Sequence, residues 1–311
     1  MLHDGFPKNS VTLWPLDLNA LVEDANVRYG AVAALAACAP PASNTIDRNR
    51  PEAVIRFGCG SQLIPFKLSK TLMKPEVQPN KIVVLSGSGL SAESGLPTFR
   101  DSNGLWNEYS WHEVASPEGW KARPETVLAF YNERRLKASQ AVPNAAHEAI
   151  ASLESAYDVV VITQNVDELH ELAGSTKILH LHGQLAYARG TSSSSRRYRI
   201  DAAPISLGQL CEDGTQLRPD IVWFGEDTQH IEKARQHVAS AAKVLVVGTS
   251  LSVFPAASLV KVARGRAEKV LNCLDIGRVP FGFTFLPGNA TSVIPMLVEK
   301  WLHQARESSV V

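Results

Sequence analysis

The sequence predicts an α/β protein with a Rossmann-like, doubly wound parallel sheet and a small inserted module. Mainly apolar runs at residues 82–85, 158–162 and 243–247 are typical of strands buried on both faces of a parallel sheet. Helical patterns separate these runs, and each run is followed directly by glycine or polar residues. This alternation predicts strand–helix units whose carboxyl ends meet along one edge of the sheet.

Length, composition and charge limit the class of protein. The chain has 311 residues, of which 45% are hydrophobic and 20% charged, as in ordinary globular enzymes. Lys plus Arg and Asp plus Glu each number 31, so no charge excess favours nucleic acid or an anionic membrane as a partner. No apolar run approaches the roughly 18 residues that cross a bilayer.

The four cysteines are Cys38, Cys59, Cys211 and Cys273, and none of them forms a C-x-x-C pair. This spacing favours a reducing compartment over a disulfide framework, so we expect a cytoplasmic location. The oligomeric state stays open.

We predict an N-terminal extension of unknown role at residues 1–80 and a main domain at residues 81–305. The extension contains short helical patterns and a proline-rich loop, and its sequence identifies no chemistry. Within the main domain we expect a helical insertion at approximately 101–157 and a small module at approximately 184–219.

A glycine-rich turn follows the first predicted strand. Gly87, Gly89 and Ala92 form the G-x-G-x-x-A pattern, which lets main-chain amides approach a diphosphate at a helix N-terminus. A sharp strand-to-helix turn explains the same glycines without a ligand. The acidic residue that dehydrogenases present about 20 residues later is missing. We therefore expect a specialised nucleotide site covered by the following insertion.

The insertion begins with an aromatic segment. Its Trp106, Trp111 and Trp120 fit either a flap over a ligand or a loop anchored to the core. Pro124 then opens a helix in which Tyr131 and Arg134 lie three residues apart. This pair is either a site for an anionic group or a snorkelling arginine on an amphipathic helix.

Three predicted strands end in polar residues, at the edge where open α/β sheets bind ligands. These residues are Gln164, Asn165 and Asp167 after one strand, Gly248, Thr249 and Ser250 after another, and Asn272 in the strand at 270–274. The amide and carboxylate groups can bind ribose hydroxyls, and the small hydroxyl residues can meet phosphates. Asp167 equally fits a helix cap.

The strand predicted at residues 177–181 is followed by His182 and Gly183. His180 lies on the same face as His182, because strand side chains alternate. A pair of histidines is more often structural than ligating. A histidine beside a glycine at a strand end is nonetheless a candidate general base. After an irregular stretch, we expect the sheet to resume at residues 220–224.

Five ordered segments resemble the sirtuins, the NAD-dependent protein-lysine deacylases. The segments are GSGLSAESGLPTFR, TQNVDELHELAG, HLHG, RPDIVWFGE and GTSLSVFPA. The resemblance runs from about residue 81 to about residue 301. It is greatest to the bacterial class that carries T-F-R and the helical signature F-Y-N-x-R.

The resemblance implies that NAD is a consumed co-substrate and that acyl-lysine proteins are the partners. The implied catalytic positions are His182, Asn165 and Asp167. The implied NAD-binding positions are Gly87, Ser88, Gly89, Ser91, Phe99, Arg100, Trp106, Gln164, Asn165, Val166, Asp167, Gly248, Thr249, Ser250, Asn272, Cys273, Leu274 and Ala290. The acyl oxygen would attack the ribose as nicotinamide leaves, and His182 would then act as general base on a ribose hydroxyl.

The resemblance also implies where the substrate binds. Tyr131 and Arg134 would recognise the carboxylate of succinyl- or malonyl-lysine. The substrate backbone would pair as an added strand with Val222, Trp223, Phe224 and Gly225. Removal of acetyl groups, an ADP-ribosyltransferase or NAD hydrolase activity, and a non-catalytic NAD-binding scaffold stay open.

One departure from the family concerns metal binding. Sirtuins usually hold a structural zinc with four cysteines between the HG and FGE segments, whereas this interval contains only Cys211. Zinc prefers a closed set of four thiolate or imidazole ligands. We therefore predict no zinc and no other metal, and a small module held by side-chain packing alone.

Overall fold

A computed structural model describes residues 75–98, 110–192 and 196–308, together with the backbone of two strands nearer the N-terminus. The chain divides into two units, residues 1–73 and 74–311. In the first unit, β1 (Val54–Cys59) pairs antiparallel with β2 (Gln62–Lys67). The sequence pattern did not predict this hairpin, and the helical patterns of the first 53 residues lie outside the described residues.

The second unit contains the remaining strands and helices of the described chain. Its strands are β3 (Gln78–Ser86), β4 (Asp158–Thr163), β5 (Ile178–His180), β6 (Gly183–Gly190), β7 (Arg197–Arg199), β8 (Leu217–Ile221), β9 (Ala241–Val247), β10 (Glu268–Cys273) and β11 (Thr284–Pro287). Its helices are α1 (Ser88–Ala92), α2 (Trp111–Val114), α3 (Pro117–Ala122), α4 (Pro124–Gln140), α5 (Ala145–Ser152), α6 (Leu169–Leu172), α7 (Ile231–Ser240) and α8 (Ala290–Ser308), with 3-10 turns at Leu153–Ser155 and Ala256–Val262.

Six of these strands form one parallel sheet in the order β11-β10-β9-β3-β4-β5. From β3 the chain adds β4 and β5 on one side, and then returns to add β9, β10 and β11 on the other. The topological switch point therefore lies at the carboxyl end of β3, where folds of this type bind ligands. The predicted Rossmann-like α/β fold is confirmed.

The main sheet is buried on both faces. Successive side chains of β3 point to opposite sides, and an apolar core covers each side. Ile82 and Val84 belong to the core beneath α5 and α8, and that core includes the fully buried Trp301. Val83 and Leu85 belong to the core beneath α7 and the Ala256–Val262 turn. The apolar runs of the sequence thus correspond to strands without a solvent-facing side.

Two helices within residues 101–157 begin at residues suited to a helix start, and Pro124 opens the first of them as predicted. Pro124 occupies the first turn of α4, where its missing N–H costs nothing. Asn144 caps α5, since its Oδ1 accepts hydrogen bonds from the N–H groups of Ala146 and His147. No described helix is both long and apolar enough to cross a membrane.

A second, antiparallel sheet, in the order β7-β6-β8, is inserted between β5 and β9. It spans residues 183–221, close to the expected 184–219. The expectation that residues 220–224 rejoin the main sheet is wrong. The strand is β8, it ends at Ile221, and it pairs with β6 in the small sheet.

The apolar residues directly after β8 belong to no strand. Trp223 packs in one apolar cluster with Tyr131 of α4, Leu185 of β6 and Ile221 of β8. The expectation that packing alone holds the small module is also incomplete. Ion pairs join Asp220 to Arg189 and Arg197 across the small sheet.

Candidate functional site

A cavity of about 530 Å³ lies along the carboxyl edge of the main sheet, at the switch point. It is lined by the segments that follow β3, β4, β8, β9 and β10, and by the imidazole ring of His182, which lies just after β5. The predicted residues that line it are Gly87, Ser88, Gly89, Tyr131, Arg134, Gln164, Asn165, Val166, His182, Val222, Trp223, Phe224, Gly225, Gly248, Thr249, Ser250, Asn272, Cys273, Leu274 and Ala290.

Five predicted site residues are not in that lining. Phe99, Arg100 and Trp106 lie outside the described residues. Ser91 and Asp167 are buried, and their side chains contact Asn165 or each other. These two residues therefore support the cavity wall from behind.

The glycines of the first turn are required by a close approach of two loops. A Cβ atom at Gly87 would lie 2.7 Å from the Cβ of Thr249, and one at Gly248 would lie 2.2 Å from the amide nitrogen of Leu90. Gly248 also has a positive φ of 62°. The N–H groups of Gly87 and Gly89 donate to the carbonyls of Val247 and Gly248. The turn is thus joined to the end of β9, and it forms the cavity floor with that segment.

A buried hydrogen-bond network connects the turn to the end of β4. The side-chain amide of Asn165 donates to the Gly87 carbonyl at 3.1 Å and to the Ser91 hydroxyl at 2.9 Å. The Ser91 hydroxyl donates to Asp167 Oδ2 at 2.9 Å, and Asp167 Oδ1 accepts from the N–H of Leu169. Burial raises the pKa of Asp167, although these hydrogen bonds oppose that effect. The network fixes Asn165 at the cavity wall.

The other strand ends offer polar groups to the cavity. Gln164 Nε2 donates to the Thr249 hydroxyl at 3.1 Å, which links the ends of β4 and β9. Asn272 donates from Nδ2 to the carbonyls of Leu286 and Gly288. Its Oδ1 is buried and has no hydrogen-bond partner among the described residues. An unpaired buried acceptor in a cavity wall fits a ligand whose hydroxyl group donates a hydrogen bond to it.

His182 lines the cavity with a defined tautomer. Its Nδ1 lies 3.0 Å from the Gln164 carbonyl, which can only accept, so Nδ1 carries the proton. Burial lowers the pKa of His182, and the hydrogen bond to Gln164 opposes this shift. The ring is therefore neutral at pH 7, with Nε2 as its basic nitrogen.

Tyr131 and Arg134 of α4 line another part of the same cavity. Burial raises the pKa of Tyr131 to about 12, so the phenol keeps its proton and can donate a hydrogen bond. Burial lowers the pKa of Arg134, while Tyr131 and Asp167 oppose that effect. A guanidinium remains a cation at neutral pH. A hydrogen-bond donor and a cation thus line the same cavity, and together they can bind an acidic group.

An ion pair that the sequence did not predict shapes the segment after β8. Arg218 donates to both oxygens of Glu226, at 2.7 and 3.1 Å, and its guanidinium stacks over the Trp223 ring. Glu226 also accepts from the N–H of Trp223 at 2.9 Å. The charged turn therefore holds Trp223 and Phe224 in the cavity wall.

Other lining residues were also missed, including Ala115, Phe130, Ile221, Thr228, Val253, Phe254, Pro255 and Asp275. The sequence motifs could have identified some of them. Ile221 belongs to the RPDIVWFGE segment, as Glu226 does, and residues 253–255 belong to GTSLSVFPA. Ala115 and Thr228 carry no chemical signal, since only the fold brings them to the cavity.

In the part of the chain that the structure describes, no group of three or more His, Cys, Asp or Glu side chains is arranged to hold a metal ion. Cys211 donates instead to Asp213 Oδ1 at 2.7 Å, within a local turn. The absence of zinc stays a prediction.

Comparison with known proteins identifies relatives across most of the chain. A sequence profile of the Sir2 family matches residues 87–255. An NAD-dependent protein deacylase of Helicobacter pylori is 52% identical over 230 residues, which cover 73% of this chain and 97% of the relative. An NAD-dependent protein deacylase of Escherichia coli is 37% identical over 238 residues, which cover 74% of this chain and 85% of the relative.

Solved structures of Sir2 proteins also resemble this chain. A Sir2 homologue in complex with NAD superposes with a TM-score of 0.65 and 38% identity, covering 72% of this chain and 90% of its own. A Sir2 protein bound to an acetylated peptide superposes with a TM-score of 0.59 and 28% identity, covering 72% of this chain and 92% of its own.

Proposed function

The chain belongs to the Sir2 family, and from that premise we propose that it is an NAD-dependent protein-lysine deacylase that prefers acidic acyl groups. One observation carries the proposal. A neutral histidine with a locked tautomer lines the same cavity as the three polar strand ends and the Tyr131–Arg134 pair. A base, a dinucleotide site and an anion-binding group therefore share one space.

The cavity residues fit NAD. The unpaired Asn272 Oδ1 would accept a hydrogen bond from a ribose hydroxyl. The remaining contacts would come from Gly87, Ser88, Gly89, Gln164, Asn165, Val166, Gly248, Thr249, Ser250, Cys273, Leu274 and Ala290. NAD, when bound, supplies the ribose carbon that receives the acyl oxygen as nicotinamide departs. Asp167 and Ser91 would act through Asn165, because their hydrogen bonds hold its side chain.

His182 would take a proton from a ribose hydroxyl at Nε2. The Gln164 carbonyl prevents the ring from adopting the other tautomer. Because burial lowers the pKa of His182, the base form persists below pH 7, and kcat/KM should fall as the pH drops through that lowered pKa. Removing a positioned base usually costs about 10²- to 10⁴-fold in rate.

The acyl group would extend toward Tyr131 and Arg134. A succinyl or malonyl carboxylate would accept from the protonated phenol and pair with the guanidinium, whereas an acetyl group reaches neither. Losing one hydrogen bond to a buried charge costs about 1.5–3 kcal/mol. Arg134→Met should therefore lower kcat/KM for succinyl-lysine roughly ten- to a hundredfold, and that for acetyl-lysine much less.

The peptide backbone would bind beside Val222, Trp223, Phe224 and Gly225. The N–H groups of Val222 and Phe224 already donate to the carbonyls of His182 and Ala115, and that of Trp223 donates to Glu226. A bound peptide would therefore donate its own N–H groups to carbonyl oxygens of this segment.

The test is an assay of acetyl-, malonyl- and succinyl-lysine peptides with NAD, with products identified by mass spectrometry. We expect free lysine, nicotinamide and O-acyl-ADP-ribose, and loss of activity in His182→Ala. Matched controls are His303→Ala, an exposed histidine of α8, and Lys137→Met, one turn from Arg134 on α4. Nicotinamide release without an acyl peptide would instead indicate an ADP-ribosyltransferase or NAD hydrolase. NAD binding without turnover would indicate a scaffold.

A further inference from the structure

His180, the last residue of β5, and His182, just after it, each place Nδ1 against a main-chain carbonyl. His180 Nδ1 lies 3.1 Å from the Asn165 carbonyl, and His182 Nδ1 lies 3.0 Å from the Gln164 carbonyl. A carbonyl can only accept, so both rings donate from Nδ1.

These contacts continue a backbone ladder beyond the end of β4. The Thr163 carbonyl accepts from the N–H of Leu181 at 2.9 Å, and the Val166 carbonyl accepts from the N–H of Leu185 at 2.8 Å. With the two histidines, four successive carbonyls, 163–166, thus receive donors from residues 180–185. Strand β4 ends at Thr163, so the imidazoles replace the main-chain donors that a longer strand would supply.

The two rings differ at their second nitrogen. His182 lines the cavity, whereas His180 is only 8% exposed and its Nε2 lies 2.7 Å from Glu171 Oε1. With Nδ1 donating to Asn165, the bond to Glu171 needs one more proton, on either the ring or the carboxyl group. The pair is electrically neutral in both arrangements, and the ring cannot flip without breaking two hydrogen bonds.

Glu171 is costly at this position. Its Oε2 is buried without a hydrogen-bond partner among the residues that the structure describes. An unpaired buried oxygen costs free energy, although the Glu171 side chain as a whole is 33% exposed. Residues of the small sheet contact Glu171 as well. Gln184 Nε2 donates to Glu171 Oε1 at 3.4 Å, and Gln184 Oε1 accepts from Arg197 at 2.9 Å.

We infer that Glu171 and His180 form a positioning unit, which holds the Asn165 carbonyl so that residues 164–166 keep the conformation that binds NAD. Neither side chain lines the cavity, so the unit acts through Asn165 rather than by contact with a substrate. The inference deepens the proposed function and rests on its NAD site.

The test compares Glu171→Leu, Glu171→Gln and the control Glu154→Leu. Glu154 accepts from the N–H and the hydroxyl of Thr176, just before β5, and so ties down the opposite end of the same strand. The dissociation constant for NAD is measured by calorimetry, and KM for an acyl peptide by the deacylation assay.

We expect Glu171→Leu to raise the dissociation constant for NAD about tenfold, which corresponds to about 1.4 kcal/mol and lies in the range for one lost hydrogen bond. KM for the peptide should stay within about twofold. Glu171→Gln should recover most of the affinity, because its amide can donate to Nε2 of a neutral ring that still donates from Nδ1. Glu154→Leu should resemble the wild type. Equal NAD affinity in Glu171→Leu and Glu154→Leu, or an equal rise for NAD and peptide, would overturn the inference.

A second pair of variants covers the case that Glu171→Leu does not fold. His180→Asn keeps a donor near the Asn165 carbonyl, whereas His180→Leu does not. His180→Asn should bind NAD at least about threefold more tightly than His180→Leu. Equal affinities of these two variants would refute the positioning role. If the wild type binds NAD but deacylates no peptide, the proposed function fails, and the NAD affinities of the variants still decide this inference.

Discussion

The two sheets of the main unit are stabilised in different ways. The six-stranded parallel sheet is apolar on both faces, and its central residues Val83, Val84 and Leu85 are at most 1% exposed. The three-stranded sheet places a carboxylate in its interior, because Asp220 is also 1% exposed. A large layer buries more apolar surface than a small one, and the small sheet adds buried ion pairs to its smaller apolar clusters.

The charges of the small sheet form two connected groups. Asp220 lies between Arg197, at 2.5 Å, and Arg189, at 3.6 Å, and Arg189 also approaches Glu226 at 3.5 Å. Arg218 binds Glu226 through two hydrogen bonds. These pairs lie within the three-stranded sheet or in the turn directly after it. They join β6, β7 and β8 to the turn that forms the cavity wall.

The largest expected effect is in the main sheet. Trp301 is fully buried in the core beneath the parallel sheet, and its Nε1 donates to Glu268. Trp301→Ala should lower the free energy of unfolding by about 3–5 kcal/mol, measured by urea denaturation. The control is Met296→Ala, a 65% exposed residue of the same helix, which should change it by less than about 0.5 kcal/mol. Similar losses in both variants would refute the burial argument.

A smaller and more local effect is expected in the small sheet. Arg197→Met removes the closer partner of the buried Asp220, but Arg197 is 45% exposed, so the cost is reduced by solvent. We expect a loss of about 1–2 kcal/mol in amide-exchange protection of β6 and β8, with β3 unaffected. Arg196→Met is the control, since Arg196 and its partner Glu212 are both exposed. Equal loss of protection in β3 would show that the two sheets unfold together.

Acid should weaken the small sheet through Glu226. Burial alone would raise the pKa of Glu226, but the hydrogen bonds and charge of Arg218 outweigh it and lower the pKa below the ordinary 4.5. The stabilisation is therefore complete above pH 4.5 and is lost as the pH falls through the lower folded-state pKa. Protection of β8 should decline in that range, and Glu226→Gln should remove this component. An unchanged pH profile in Glu226→Gln would contradict the assignment.

The smallest effect is expected for a pair that belongs to neither sheet. Glu133 and Lys137 form an exposed i,i+4 pair on α4, 2.6 Å apart. Lys137→Met should change the free energy of unfolding by less than about 0.5 kcal/mol. A larger loss in thermal or urea denaturation would mean that exposed pairs also stabilise this protein, which would weaken the contrast between the sheets.

The sequence by itself determined five of the six strands of the main sheet and most of the cavity, whereas the edge strand β11 was not predicted. Continuous apolar runs predict strands buried on both faces, and such strands end at a common polar edge. That rule was enough to bring Gln164, Asn165, Thr249 and Asn272 to one cavity with His182. The segment at 220–224 was assigned to the wrong sheet, because a local apolar pattern indicates burial but does not identify the strand that pairs with it.

Only the tertiary structure decided which polar side chains pair with one another. It placed Asp167 and Ser91 behind Asn165, joined Glu171 to His180, and paired Arg218 with Glu226. These partners are 8 to 76 residues apart in the chain. Apolar burial is non-directional, so composition and periodicity predict it, whereas a hydrogen bond depends on the distance and angle between two groups that only the folded chain brings together.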